Sequence, residues 1–261
     1  MNGVSIIITV RNGELYIKSC LESIIRQDFH DYEVIIFNDG STDGTSDKLS
    51  EFSNFKKFKV ITSNAVGRGV ALNTGLNYST KKYIAILDAD DFVADKWLSE
   101  MVGILEADKS IDILSCLPEY EIKKMNLNMS SQFKDVINLT HDKFIFKNPV
   151  NHSGVIIKKS AIDNLNGYDQ LRKSLFDYDL WRRALFAGLK ICRINEKLVY
   201  KRIHKNQSFE NKKRLEYLTG CLIIRLSLAM KFNLAYIIVA ILVFLYGFLP
   251  KNIRFIANKY L

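Results

Sequence analysis

The stretch Tyr83-Ile84-Ala85-Ile86-Leu87-Asp88-Ala89-Asp90-Asp91 decides how the rest of the chain is read. Five apolar residues, partly β-branched, predict a short buried strand, and three carboxylates in four positions sit where it ends. In open parallel sheets the crevice beyond the strands' carboxyl ends is the usual ligand site. Carboxylates crowded there repel one another unless a hard cation such as Mg²⁺ or Mn²⁺ lies between them. The other reading of the same residues is a solvated turn, in which Asp90 or Asp91 caps a helix beginning near Lys96.

Upstream, Ser5-Ile6-Ile7-Ile8-Thr9-Val10 is a continuous apolar run of the kind covered on both faces, broken by Arg11-Asn12-Gly13-Glu14. Ile17, Leu21, Ile24 and Ile25 then recur at helical spacing. Glu33-Val34-Ile35-Ile36-Phe37 reads as a second strand, Asn38-Asp39-Gly40-Ser41-Thr42-Asp43-Gly44-Thr45 as a turn, residues 58–62 as a third strand and residues 67–78 as a helix. Strand and helix alternate at βαβ spacing, which predicts an α/β fold with a parallel, doubly wound sheet over about the first 90 residues. Thr9, Arg11, Glu14, Asp39, Asp88 and Asp90 then share one rim. For Asp39 alone, a helix-capping carboxylate and a ligand-binding one are equally compatible with the turn. No GxGxxG or GxxxxGK[ST] occurs in these turns, so a dinucleotide or ATP phosphate loop is not expected.

Downstream, residues 96–105 predict a helix, 111–117 a strand, and 119–146 show no clear period. Order returns at Asn148-Pro149-Val150-Asn151-His152-Ser153-Gly154, a strand at Val155-Ile156-Ile157, a turn at Asn166-Gly167-Tyr168-Asp169, and Phe176-Asp177-Tyr178-Asp179-Leu180-Trp181-Arg182-Arg183-Ala184 as the start of a helix. Acid at a helix N-terminus has its own explanation in the macrodipole.

The chain of 261 residues carries a net charge of +9, which points to an anionic partner: nucleic acid, a phosphorylated substrate or a membrane face. Four scattered cysteines make no CxxC pair, so neither a zinc site nor a disulfide framework is expected, and a reducing compartment is the simpler setting. Met1-Asn2-Gly3-Val4 enters a strand without the features of a signal peptide, so export is not expected. Residues 197–214 hold seven Lys or Arg against one acid, together with His204. Beyond them residues 234–249 are sixteen positions without a charge, flanked by Lys231 and by Lys251, Arg254 and Lys259. Sixteen is short for a span of about twenty. A buried core helix is one reading; an interfacial or re-entrant membrane anchor is the one preferred, because basic flanks suit a membrane surface.

Taken in order, these motifs resemble a family-2 glycosyltransferase of the GT-A fold, the bacterial polysaccharide, O-antigen or capsule assembly type. Residues 5–14, Asn38-Asp39-Gly40-Ser41-Thr42-Asp43 and Leu87-Asp88-Ala89-Asp90-Asp91 match its nucleotide-binding motifs. Asn148-Pro149-Val150-Asn151-His152, Gly167-Tyr168-Asp169, Asp177-Tyr178-Asp179-Leu180-Trp181 and residues 200–208 match its acceptor half. The resemblance covers roughly residues 4–210. It implies a Rossmann-like, mostly parallel central sheet flanked by helices, a catalytic domain over 1–215 (donor half 1–92, acceptor half 93–215), and a C-terminal hydrophobic helical segment over 216–261.

It also implies site residues. Asp39 would bind the nucleotide base, with Thr9, Arg11 and Glu14 lining the nucleotide-sugar pocket and Asp88 facing the ribose and metal shell. Asp90, with His204, would ligate Mn²⁺ or Mg²⁺, while His152 and Trp181 would lie on the acceptor or pyrophosphate side. In the family's acidic pair, usually Glu-Asp, the Asp is the general base. Here the pair reads Phe176-Asp177, so Asp177 is the expected base and Asp179 the alternative. The expected activity is inverting, metal-dependent transfer from a nucleotide sugar, UDP-linked, to a saccharide or polyprenyl-diphosphate-linked acceptor at the cytoplasmic face of a bacterial inner membrane. The missing Glu keeps a catalytically inactive nucleotide-sugar-binding protein in view. A nucleic-acid-binding module is supported by charge alone, and no recognition motif accompanies it.

Overall fold

A computed structural model describes residues 2–120, 135–204 and 214–249. Residues 121–134, positions 205–213 of the basic run, and the cations at 251, 254 and 259 lie outside the described residues. The strands β1 (Val4–Val10), β2 (Tyr32–Asp39), β3 (Phe58–Ser63) and β4 (Tyr83–Ile86) pair in parallel in the order β3-β2-β1-β4. The helices between them are α1 (Ile17–Ile25), α2 (Thr45–Ser50) and α3 (Arg68–Tyr78). β1 and β4 are buried nearly end to end because both faces of the sheet are covered, which is why their sequences run apolar without alternation. The period of two survives as a division of labour. Ile6, Ile8, Ala85 and Leu87 join one core cluster, while Ile7, Ile84 and Ile86 join the other.

The remaining elements are β5 (Phe92–Val93), α4 (Trp97–Ala107), β6 (Ile113–Glu119), β7 (Val136–Asn138), α5 (His141–Phe146), β8 (Ile156–Lys158), α6 (Lys159–Asn164), α7 (Phe176–Phe186), β9 (Ile191–Tyr200), α8 (Arg214–Phe232) and α9 (Tyr236–Tyr246). They correct the expectation of a mostly parallel sheet. Past β4 the order continues β8-β6-β9-β5; β8 is antiparallel to both β4 and β6, and β9 is antiparallel to β5 and β7 but parallel to β6. The sheet is mixed because β8 begins at the rim where β4 ends. Gly154 N–H donates to Ile86 O at 2.6 Å, so the chain turns down beside β4 without a crossover. Gly154 takes φ +87°, and a Cβ there would stand 2.0 Å from Val199 Cγ2, so the turn admits only glycine.

The C-terminal region also departs from expectation. Residue 216, the expected start of a separate tail, is the third residue of α8, and Cys221, Ile224, Leu228 and Ala229 of this helix belong to the second core cluster. No helix among the described residues is long and apolar enough to cross a membrane. The apolar run instead folds as the eleven-residue α9, which packs on α8 and α5. The His141 ring, at the start of α5, stacks on Phe232 at 4.5 Å and 12° and fixes the α8–α9 turn.

Candidate active site

The strand ends of β1, β2 and β4 converge as parallel pairing requires. Asp88 leaves β4 with its backbone N–H on Ser153 Oγ at 3.1 Å, so the loop before β8 positions the first carboxylate. Asp88, Asp90 and Asp91 form one group, with ligand atoms all within 4.8 Å of one another. Asp91 is buried; it accepts the Arg202 backbone N–H at 3.3 Å on Oδ1, while Oδ2 has no hydrogen-bond partner. Burial, with the charges of Asp88 and Asp90 adding to it, pushes the Asp91 carboxyl up to about 7. Burial also opposes ionisation of Asp88, but the Arg68 and Lys201 charges and the Arg68 hydrogen bond outweigh it and bring this carboxyl down to about 2. His204 Nε2 lies 2.9 Å from Asp90 Oδ2, its ring stacks on Tyr16 at 4.7 Å, and its Nδ1 is buried without a partner. An all-oxygen carboxylate set with one orphaned buried oxygen, beside an imidazole nitrogen, fits a hard divalent cation. A solvated helix cap does not account for it, because no side-chain cap bond is made to α4.

Asp39, at the end of β2, has both carboxylate oxygens engaged by backbone. Its two carboxylate oxygens accept the N–H groups of Val66 at 2.6 Å and Gly67 at 3.1 Å, and Gly67 takes φ +92° to turn into α3. Asp39 therefore shapes the loop that opens α3. Thr9 is half-buried in β1 opposite Phe37, and Arg11 is exposed. Glu14 is exposed too, with Oε2 accepting Gly44 N–H at 3.1 Å. The β1–α1 and β2–α2 loops are laced together: Asn12 Oδ1 accepts Thr42 N–H at 2.8 Å and Thr45 Oγ1 accepts Gly13 N–H at 2.9 Å.

Two cations of this site were not read from the sequence. Arg68, the first residue of α3, forms an ion pair with Asp88, whose charge raises the guanidinium further. Lys201, just past β9, is held charged by Asp88 and Asp91 against the cost of its burial. The only sequence signal for Arg68 was its place between Gly67 and Gly69 at a strand-to-helix turn. Lys201 was hidden in a basic run.

Asp177 sits in the first turn of α7, half-buried, and accepts the Asn148 Nδ2 amide at 2.7 Å on Oδ2. Its charge and that of Asp88 both act on Arg68, His152 and Tyr168, so these three groups lie within reach of both carboxylates. His152 is buried with Nε2 at 2.9 Å from the Tyr168 hydroxyl, and burial, reinforced by Arg68, brings the imidazole down to about 4. Trp181 is fully buried in the second core cluster, its ring 6.3 Å from His152 and its indole N–H unpartnered. It stands behind His152, inside the protein.

Asp179 is 2% exposed and surrounded by arginines: Arg182 at 2.8 Å, Arg183 at 2.8 Å and Arg172 at 3.0 Å. Burial works against its charge, and the three guanidiniums overcome that and lower its carboxyl. Arg183 also donates to the carbonyls of Leu165 and Gly167, so this network ties α7 to the turn before it. Asp179→Asn is expected to cost about 2–4 kcal/mol, since it leaves buried cationic donors short of a charge, less than a fully buried pair because the arginines keep part of their hydration. Urea unfolding checks this; an unchanged midpoint with lost turnover would assign Asp179 to the chemistry.

The family described as Glycosyl transferase family 2 matches residues 5–163. An uncharacterized glycosyltransferase of Haemophilus influenzae is 33% identical over 224 residues, 78% of this chain and 67% of the relative. The Escherichia coli protein named UDP-Glc:alpha-D-GlcNAc-diphosphoundecaprenol beta-1,3-glucosyltransferase WfaP is 26% identical over 212 residues, 81% of this chain and 82% of its own length. Among solved structures, S. aureus TarS 1-349 in complex with UDP-GlcNAc superposes with a TM-score of 0.70 at 19% identity, covering 87% of this chain and 66% of that one. At that identity the likeness is one of fold.

Proposed function

Because the chain belongs to glycosyl transferase family 2 and is a glycosyltransferase, we propose that it moves a sugar from a UDP-linked donor to a lipid-linked saccharide with inversion at C1. What supports the reading is that Asp177 and Asp88, one of the Asp88, Asp90 and Asp91 group, act on the same Arg68 and His152. Asp88 and Asp90, with Asp91 and His204 beside them, would hold a divalent cation, which supplies positive charge next to a diphosphate leaving group. Thr9, Arg11, Glu14 and the loop set by Asp39 form the nucleotide side. The Asp177 carboxylate takes the proton of the acceptor hydroxyl as its oxygen bonds to C1. The C1–oxygen bond to the diphosphate breaks on the opposite face, so an α-linked donor gives a β-linked product. Arg68 contributes charge between the two halves, and His152, neutral and held by Tyr168, is an uncharged wall beside it.

Residues 1–92 form the donor half and those from 93 the acceptor half. The acceptor class is supported by the printed name of WfaP, and the UDP donor by that name and by the ligand of TarS. A polyprenyl-diphosphate acceptor places the enzyme at the cytoplasmic face of a bacterial inner membrane. The test is a screen of UDP-, GDP- and dTDP-sugars against polyprenyl-diphosphate-linked saccharides. Transfer from a UDP-sugar with an inverted anomer is expected; UDP binding without transfer or hydrolysis of any donor would favour the inactive binding protein that Phe176 keeps in view.

A further inference from the structure

The α9 helix is apolar on every side: Tyr236-Ile237-Ile238-Val239-Ala240-Ile241-Leu242-Val243-Phe244-Leu245-Tyr246. Such a helix belongs in a core or in lipid. Only one side of it is in the core. Ala240 is fully buried, and Tyr236, Ile237 and Val239 pack on the second core cluster. The other side bears Ile238, Ile241, Leu242 and Leu245, spaced i, i+3, i+4 and i+7, and these are 67%, 43%, 59% and 55% exposed. Leu234 and Phe248 prolong the stripe at either end, both exposed.

We propose that this stripe docks the enzyme on an anionic bilayer, with the α9 axis lying in the membrane plane. Eleven residues make about 16 Å of helix, half of the ~30 Å needed to span. A protein partner of this face would meet a polar rim around an apolar centre, and α9 offers none. What it offers instead is a charge-free apolar face with basic residues on both sides of it in the sequence. Lys231 is exposed just before the helix, and the twelve residues after Leu249 hold Lys251, Arg254 and Lys259 with no acid. That charge matches anionic headgroups. The α8 helix packs against both α9 and α7, so docking through α9 also fixes the α7 turn that carries Asp177 relative to the headgroup plane. The inference deepens the membrane part of the reading above and holds whatever the donor sugar is.

Flotation of the full chain with phosphatidylglycerol–phosphatidylethanolamine vesicles tests it. The protein is expected to float, and Ile238→Asp combined with Leu242→Asp to lower vesicle affinity about tenfold or more, because each places a charge at an exposed apolar position. UDP binding, measured alongside, should not change; loss of UDP binding by the unsubstituted chain would count against the donor assignment and leave flotation to decide docking. Orientation is read separately from Ile238→Trp and Leu245→Trp with lipids brominated at one depth. The two native tryptophans, Trp97 and Trp181, are fully buried and contribute no quenching of their own. Positions seven apart are about 10 Å apart along the axis, so equal quenching supports the in-plane helix and unequal quenching overturns it. Flotation that is absent, or that the Asp substitutions leave intact, overturns docking through this stripe. So does a doubling of sedimentation mass abolished by those substitutions in a chain that does not float, which would make the partner a second copy.

Discussion

Asp177→Asn is expected to lower glycosyl transfer by a factor of about 10² or more while leaving donor affinity unchanged, the usual size of a lost general base. The substitution keeps the shape of the side chain and its contact with Asn148, whose amide reaches Asp177 Oδ2 at 2.7 Å. What it removes is the ability to accept the acceptor's proton. Turnover measured against both donor and acceptor concentration separates this from a positioning defect: kcat should fall and the donor KM should hold. Asp179→Asn is the natural control, because its carboxylate is occupied by three arginines. If Asp179→Asn loses more turnover than Asp177→Asn after correction for the folded fraction, the base is Asp179.

Removal of divalent metal should weaken UDP binding at least about 10²-fold, and Asp90→Asn should act in the same direction. The reason is electrostatic. Two unit charges of like sign at 4 Å repel by about 4 kcal/mol at an effective dielectric of 20, and a diphosphate would meet Asp88, Asp90 and Asp91 together. Arg68 and Lys201 offset part of that repulsion, but both already serve the carboxylates. Calorimetry of UDP with Mn²⁺, with Mg²⁺ and in EDTA measures the effect. Equal affinity in EDTA would mean that the carboxylate group serves the fold alone and that Arg68 and Lys201 suffice for the diphosphate.

Much of the first 92 residues was legible because their signals are local. The runs at 6–8, 34–37 and 83–87 are apolar without interruption, as strands covered on both faces must be. Since parallel strands align their carboxyl ends, their terminal residues could be placed on one rim before any contact was known. The Asp88, Asp90 and Asp91 group follows from that rule, and the order of the motifs was enough to indicate the family.

Partnerships between distant residues were not legible. Asp39 in its turn carries no sign that its two oxygens accept the N–H groups of Val66 and Gly67, 27 and 28 residues on. Arg182 and Arg183 lie at i+3 and i+4 from Asp179 and could have been paired with it from helical spacing, but Arg172 reaches it only because the preceding loop folds back. Trp181 looked like an acceptor-side aromatic, yet α7 turns it inward. The antiparallel entry of β8 depends on a turn at the rim that hydrophobic pattern does not encode, and with it comes the placing of Ser153 and His152 beside Asp88. The sequence by itself determined the strands, their shared rim and the carboxylate group, because period and polarity are properties of neighbours. Only the tertiary structure decided which carboxylates remain open to chemistry, that α8 belongs to the core, and that α9 keeps one apolar face outside, because each depends on what packs against a surface from far along the chain.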